Sequence, residues 1–279
     1  MNISAKTKIC MVIGDPIEHS LSPIMHNAGY EKVGIDSEFV FLACNVIVDQ
    51  IADFVAGIKA MKIRGVSCTL PHKMEVMKYM DDIDEIAKKI GAVNTIVNDR
   101  GVLKGYNTDL IGAIAPLQKI TLLENKKVAL IGAGGVARAF AYGLTQKGSN
   151  LTIYNRTIEK AQELATKFGG DARSFDTLED VKNMDIIINA TSVGLDPNYN
   201  ESSLPKKLIT DKHIVFDVIY VPYDTKLLRD AKQKGARIIH GIEMLLQQGI
   251  AQFKLYTGYD APEETMRNAL LDHLNRKTK

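Results

Sequence analysis

The sequence predicts an α/β protein with mostly parallel sheets, and three observations carry that prediction. Short apolar runs and helical segments alternate along the 279 residues, the pattern of strands joined through helical crossovers. The stretch Lys127-Val-Ala-Leu-Ile-Gly-Ala-Gly-Gly-Val-Ala-Arg138 reads as a strand running into a glycine-rich turn that opens a helix. The polar segment Thr121 to Lys126 precedes it and puts a domain boundary near residues 110–125.

Taken in order, residues 9–13 form an apolar strand, followed by a helix over about 22–33. A second strand is expected at 38–43, a helix at 51–61 and a third strand at 65–69. A helix is expected after Pro71, which can open one, and another over 83–90. Residues 93–97 and 102–106 read as two strands joined by the turn Asn98-Asp-Arg-Gly101, and 108–117 returns to helix. The helix of the glycine-rich unit reaches about Lys147, and strands follow at 150–154, 185–189, 213–218 and 236–239. Helices at about 242–256 and 261–275 close the pattern, and the basic Asn275-Arg-Lys-Thr-Lys279 reads as a frayed, solvated terminus.

Composition narrows the function classes. A net charge of +2 with acids and bases interspersed gives no case for nucleic acid or an acidic membrane as partner. Cys10, Cys44 and Cys68 are odd in number and widely spaced, so neither a disulfide framework nor a zinc pattern is expected. The N-terminus lacks an apolar signal region and no apolar run is long enough to span a bilayer, so a soluble cytoplasmic protein is expected. The six histidines show no paired metal spacing, and no metal is expected. Nothing in the residues separates a monomer from a homodimer.

Gly132, Gly134 and Ala137 fit the G-x-G-x-x-G/A dinucleotide fingerprint. The first glycine permits the tight turn, the second lets a pyrophosphate approach the backbone, and the small third residue lets helix and strand pack closely. Helix N–H groups and the helix dipole then face the phosphates. NAD-binding units place an acid about 20 residues beyond the glycines to accept from the ribose 2′-hydroxyl. This chain has Asn155-Arg156-Thr157 there, without a carboxylate. A guanidinium with two small polar groups welcomes a 2′-phosphate, so NADP is favoured over NAD.

The first half has chemistry of its own. Ser20 and Ser22 stand just before a helix, where Ser22 could equally be a simple N-cap. Ser67 and Thr69 end the third strand and Lys73 follows in a loop, while Asn94 and Asp109 lie at the ends of later elements. Ligands of open α/β sheets gather beyond the carboxyl ends of strands. Hydroxyl, amide, amine and carboxylate groups collected there suit a small polyhydroxylated acid.

The blocks G-x-P-I-x-H-S-x-S-P-x-x-H-N, T-x-P-x-K, G-A-V-N-T, G-x-N-T-D, G-A-G-G-x-x-R, N-R-T, N-A-T-S-x-G and M-L-x-x-Q-G follow one another from Gly14 to Gly249. In this order the chain resembles the shikimate dehydrogenase family over nearly its whole length. The resemblance implies reversible NADPH-dependent reduction of 3-dehydroshikimate to shikimate, a step of the shikimate pathway toward aromatic amino acids. It also implies an N-terminal α/β substrate domain (residues 1–112, with the helices of about 250–279 packing back on it) and a C-terminal doubly wound Rossmann-type domain (113–249).

Carried over residue by residue, the resemblance makes Lys73 and Asp109 the catalytic pair. It places Ser20 and Ser22 on the substrate carboxylate, and Ser67, Thr69, Asn94 and Gln248 around its hydroxyls or carboxylate, with Tyr220 near the carboxylate. Its cofactor contacts match Gly132, Ala133, Gly134, Gly135, Val136, Ala137, Asn155, Arg156, Thr157, Thr191, Ser192, Val193, Ile219, Gly241 and Met244. One departure stands out: most bacterial members have N-V-T where this chain has Ser67-Cys68-Thr69, so an amide contact becomes a hydroxyl. That change leaves open a quinate or dual-specificity dehydrogenase, and a noncatalytic NADP-binding module on the same fold is the alternative from another class. Hydride transfer at C3 needs a proton on the C3 oxygen, which Lys73 can supply or stabilise with Asp109 as its partner.

Overall fold

The computed structural model describes residues 3–277. The chain divides into two compact units, Met1–Asp109 with Leu245–Lys279, and Leu110–Met244. Both are α/β in architecture, and each is built on its own six-stranded sheet.

The first unit contains β1 (Lys8–Gly14), α1 (Ser22–Lys32), β2 (Phe39–Asn45), α2 (Ile51–Ala60), β3 (Gly65–Cys68), β4 (Asp82–Ile83), α3 (Glu85–Ile90), β5 (Thr95–Asp99) and β6 (Val102–Tyr106). Its sheet order is β2-β1-β3-β5-β6-β4. The β1 pairs are parallel, but β5 runs antiparallel to both β3 and β6, because only a tight turn at Asn98–Gly101 separates β5 from β6. The Asn98 side chain closes that turn by accepting from the Gly101 N–H. One face of the sheet buries Met11, Ile13, Val66, Cys68 and Ile96 with Val55 and Ile58 of α2, as the two-residue period of strands requires.

The opposite face is aromatic. His26, Tyr30, Phe41, Phe253 and Tyr256 pack together there, with the His26 ring stacked on Phe41 at 4.2 Å. Burial lowers the His26 pKa to about 3, so it sits in this cluster as a neutral ring. The two C-terminal helices complete the face. Arg64 donates to the carbonyls of Leu255 and Tyr256 at one helix's carboxyl end and to Asn98 across the sheet, where a cation also meets the negative end of the helix dipole.

The second unit begins within α4 (Asp109–Gln118) and continues with β7 (Lys127–Ile131), α5 (Gly135–Gln146), β8 (Asn150–Tyr154), α6 (Ile158–Phe168), β9 (Asp171–Arg173), β10 (Ile186–Asn189), β11 (Ile214–Asp217), α7 (Lys226–Gln233) and β12 (Arg237–Ile239). It ends inside α8 (Gly241–Thr257), after which α9 (Glu263–Lys277) belongs to the first unit. Every strand pair here is parallel, in the order β12-β11-β10-β7-β8-β9. This is the doubly wound 3-2-1-4-5-6 order, whose switch point lies between β7 and β10. Alternate residues of the same strands feed two cores: Val128, Leu130, Ile186 and Ile188 on one face, Ala129, Ile131 and Ile187 on the other. Strands buried on both faces read as unbroken apolar runs. Among the described residues no helix is long and apolar enough to cross a membrane.

The structure departs from the sequence expectations in several places. No α-helix follows Pro71; a turn leads instead into a 3₁₀ helix at Glu75–Tyr79. Neighbouring residues His72 and Lys73 are both turned inward and buried, and the Lys73 carbonyl accepts from Val93 rather than from its own helix. A regular helix would point consecutive side chains about 100° apart. Helix α3 starts later than expected, because Ile83 pairs with Gly105 as β4 and Asp84 caps the helix by accepting from the Ile86 N–H. The tail read as frayed is helical through Lys277, anchored by buried Leu274; Thr278 and Lys279 lie outside the described residues.

Gly65 lies tight against an aromatic ring of the first unit. A Cβ there would overlap the Tyr256 ring, within 2.7 Å of its Cγ. Overpacking of a core costs about 1–3 kcal/mol. Gly65→Ala is therefore expected to lower the urea midpoint by that much stability, and an unchanged midpoint would show that the Tyr256 ring is not held against β3.

Candidate active site

Loops at the carboxyl ends of the first unit's strands converge on a buried ion pair. Lys73 Nζ lies 2.5 Å from Asp109 Oδ2, with both side chains more than nine-tenths buried. Asp109 opens α4 and so faces the positive end of its dipole. Lys73 is fixed through its backbone by Val93, the residue just ahead of Asn94.

Asn94 ties the pair to the rest of the unit. Its Nδ2 donates to Asp109 Oδ1 at 2.9 Å and to Thr108 Oγ1 at 3.0 Å, and lies 3.5 Å from Gln248 Oε1. Its Oδ1 accepts from Thr95 Oγ1 and from the Thr108 N–H. Thr95 accepts in turn from Gln252 Nε2, Gln252 Oε1 accepts from the Ser67 hydroxyl, and that hydroxyl stands 3.0 Å from the Tyr256 hydroxyl. Lys73, Asp109, Asn94, Gln248 and Ser67 thus belong to one buried hydrogen-bonded cluster. Thr108, Thr95, Gln252 and Tyr256 join it without having been singled out in the sequence. Thr95, Gln252 and Tyr256 lie on strand and helix and Thr108 in the loop before α4, and only the tertiary fold shows their partners.

Ser20 and Ser22 lie beyond the end of β1, and Thr69 follows the adjacent β3. Ser22 does not cap α1. The cap position is Leu21, and no side chain bonds there; the Ser22 N–H instead meets Ser20 Oγ at 3.4 Å. The N-cap reading of Ser22 is thereby corrected: Ser22 is already the first helical residue, with Pro23 second. Tyr220 follows β11 and belongs to the second unit, where it is half-buried. His72 meets the Val46 carbonyl at 2.6 Å and is structural, whereas His19 is exposed.

The second unit supplies a cradle that fits a dinucleotide. Gly132 has φ +113°, and a Cβ on it would lie 2.9 Å from the Ala190 carbonyl, so only glycine turns the chain here. Around the Cβ position of Gly134 there is open space within 4 Å, and α5 begins at Gly135 with no side chain capping it. Ala133 and Val136 are partly exposed on this turn, and Ala137 is buried in the core between α5 and the sheet. Uncapped helix N–H groups beside open space are what a diphosphate requires.

After β8, Asn155 donates to the Thr157 carbonyl at 2.8 Å and shapes a loop on which Arg156 and Thr157 are exposed. Thr191 is held by Asn189, while Ser192 is exposed and Val193 partly so. Gly241 opens α8, and a Cβ on it would strike the carbonyls of Val218 and Ile219. Buried Met244 packs into the same core as Ala137. Among the described residues no group of His, Cys, Asp and Glu side chains could hold a metal ion.

Comparisons with known proteins cover nearly the whole chain. The family profile described as the shikimate dehydrogenase substrate binding domain matches residues 12–96. The shikimate / quinate 5-dehydrogenase profile matches 116–226, and the shikimate 5'-dehydrogenase C-terminal domain matches 241–271. A shikimate dehydrogenase (NADP(+)) of Nitrosopumilus maritimus is 44% identical over 95% of this chain and 98% of its own. A crystal structure of shikimate dehydrogenase in complex with NADP+ superposes with a TM-score of 0.91 at 42% identity, covering 98% of this chain and 97% of that one. The Thermus thermophilus shikimate 5-dehydrogenase in complex with NADP(H) and shikimate gives 0.88 at 34% identity, covering 95% and 99%. A chain matched along its length in this way belongs to the shikimate dehydrogenase family.

Proposed function

We propose that this protein is an NADP-dependent shikimate dehydrogenase that interconverts 3-dehydroshikimate and shikimate in the cytoplasm, within the route to aromatic amino acids. The observation that carries the reading is the buried Lys73–Asp109 pair, held in a cluster of neutral donors and acceptors in a chain of this family. A noncatalytic binding module has no need to bury a lysine and a carboxylate, because burying each ion costs several kcal/mol before attraction is counted.

Bound NADPH supplies the hydride, and this chain's residues supply placement and the proton. With substrate bound, the Lys73 ammonium would act at the reacting C3 oxygen, where a cation or proton donor stabilises the developing alkoxide. Asp109 accepts from Lys73 with one oxygen and from Asn94 with the other, which fixes the direction of the ammonium. Ser20, Ser22, Thr69 and Gln248, with Tyr220, hold the carboxylate and hydroxyls of the substrate. Gly132 to Ala137 would hold the cofactor's diphosphate, and Asn155, Arg156 and Thr157 its 2′-phosphate. Thr191, Ser192, Val193, Ile219, Gly241 and Met244 complete the cofactor site. Substrate and cofactor are small molecules, and the reading calls for no macromolecular partner.

Lys73→Ala is expected to lower kcat by about 10²–10⁴, the range for a lost acid–base group, with a smaller change in substrate KM. Near-normal hydride transfer in single-turnover kinetics would remove Lys73 from the chemistry.

The function itself is tested by turnover with shikimate and with quinate against NADP+ and NAD+. Shikimate with NADP+ is expected to be the fastest pair, and a preference for quinate would trace to Ser67 in place of the amide. Arg156→Gln removes a charge-assisted contact worth about 1.5–3 kcal/mol, so NADPH affinity is expected to fall roughly tenfold to 150-fold with NADH affinity almost unchanged. Equal losses for both cofactors would reassign Arg156 to the adenine or the fold.

A further inference from the structure

The second unit holds a fully buried carboxylate that the fingerprint does not use. Asp217, the last residue of β11, has no exposed surface. Its Oδ1 accepts from Asn189 Nδ2 at 2.9 Å and from the Ile219 N–H at 3.1 Å, and its Oδ2 accepts from the Thr225 hydroxyl at 2.6 Å. Burial pushes its carboxyl up to about 6, while the three donors pull the other way.

The donor directions make this a chain of command between two loops. Asn189 ends β10, and with its amide nitrogen on Asp217 its oxygen is left to accept from both the N–H and the hydroxyl of Thr191. The Val193 N–H donates to the Thr191 hydroxyl oxygen, and Asn189 Nδ2 also reaches the Val193 carbonyl. An amide released by loss of the carboxylate could turn over, and its nitrogen would then face the Thr191 N–H and its oxygen the Val193 carbonyl, two contacts with the wrong atom. Thr225, with its proton committed to Asp217, uses its oxygen to cap α7 by accepting from the Leu228 N–H.

Both loops press on glycines of the dinucleotide cradle. The Ala190 carbonyl and the Thr191 methyl each stand 2.9 Å from where a Cβ on Gly132 would lie. The carbonyls of Val218 and Ile219 crowd the Cβ position of Gly241. Asp217 therefore joins the segment behind the first fingerprint glycine to the segment behind the start of α8.

We propose that Asp217 is a positioning residue of the cofactor site: it touches no ligand, and its carboxylate holds the loops after β10 and β11 in the shape that NADP(H) binds. The proposal rests on the dinucleotide reading given above. The test compares Asp217→Leu, Asp217→Asn and the core variant Leu144→Ala, which leaves the loops alone. Fluorescence titration gives the NADPH Kd, calorimetry the shikimate Kd without cofactor, and thermal melting the stability.

Asp217→Leu is expected to raise the NADPH Kd about tenfold or more with a smaller change in the shikimate Kd, because of the proposed substrate residues only Tyr220 lies in the loop after β11. Asp217→Asn keeps an oxygen for Asn189 and Ile219 and is expected to recover most of the affinity. Leu144→Ala is expected to melt lower and still bind NADPH normally. An NADPH Kd unchanged in Asp217→Leu overturns the proposal, as does an equal loss in Leu144→Ala, which would mark the effect as general loosening. If Asp217→Leu does not fold, Asn189→Ala cuts the same link and must weaken NADPH in its place. Wild-type protein that binds no NADPH overturns the dinucleotide reading itself.

Discussion

A cation and an anion can share the inside of a protein only if mutual attraction and further hydrogen bonds offset the loss of water around both. The Lys73–Asp109 pair sets this condition for the first unit. Asp109 uses both oxygens, and the amide that fills the second, on Asn94, must itself be fully engaged. That requirement passes outward through Thr95, Thr108 and Gln252 to Ser67 and Tyr256. The polar cluster around the pair is thus one dependent set. Its members come from strands, loops and α8, so the set is complete only with the sheet and that helix together.

The second unit solves a different problem, that of presenting bare backbone to an anion. Its sheet is covered on both faces, so the strand ends and the first turns of helices are the places left for binding. Gly132 and Gly134 keep side chains out of that space, and α5 leaves its first N–H groups uncapped. The cradle is braced from behind by Asn189, whose side-chain oxygen accepts from both the N–H and the hydroxyl of Thr191.

Much of this was legible in the sequence where the physics is local. The glycine turn, the strand alternation and the helix stop at Gly91, which has φ +77°, follow from backbone rules that neighbours alone can state. The turn after Pro71 was not legible, because its shape is set by Lys73 reaching a residue 36 positions away. Asp217, Gln252 and Tyr256 were missed for the same reason: their partners lie on other elements, and a buried aspartate at a strand end looks like any strand-terminating acid. Ser22 shows the opposite error, in which a locally sound capping rule yields to a helix that starts one residue earlier.

The clamp of Arg64 on the carboxyl end of α8 has a consequence for biogenesis. The first unit is discontinuous: its sheet is made from the early part of the chain, but Tyr256, Phe253 and α9 arrive only after Leu245. During synthesis the contiguous second unit, Leu110–Met244, emerges complete while the first still lacks the helices that cover its aromatic face. That apolar face must wait, uncovered, until translation has passed the whole of the other unit. A nascent chain stalled near residue 244 would therefore expose Phe41 and Tyr30 as a sticky surface, making chaperone capture and co-translational proteolysis the hazards specific to this chain order.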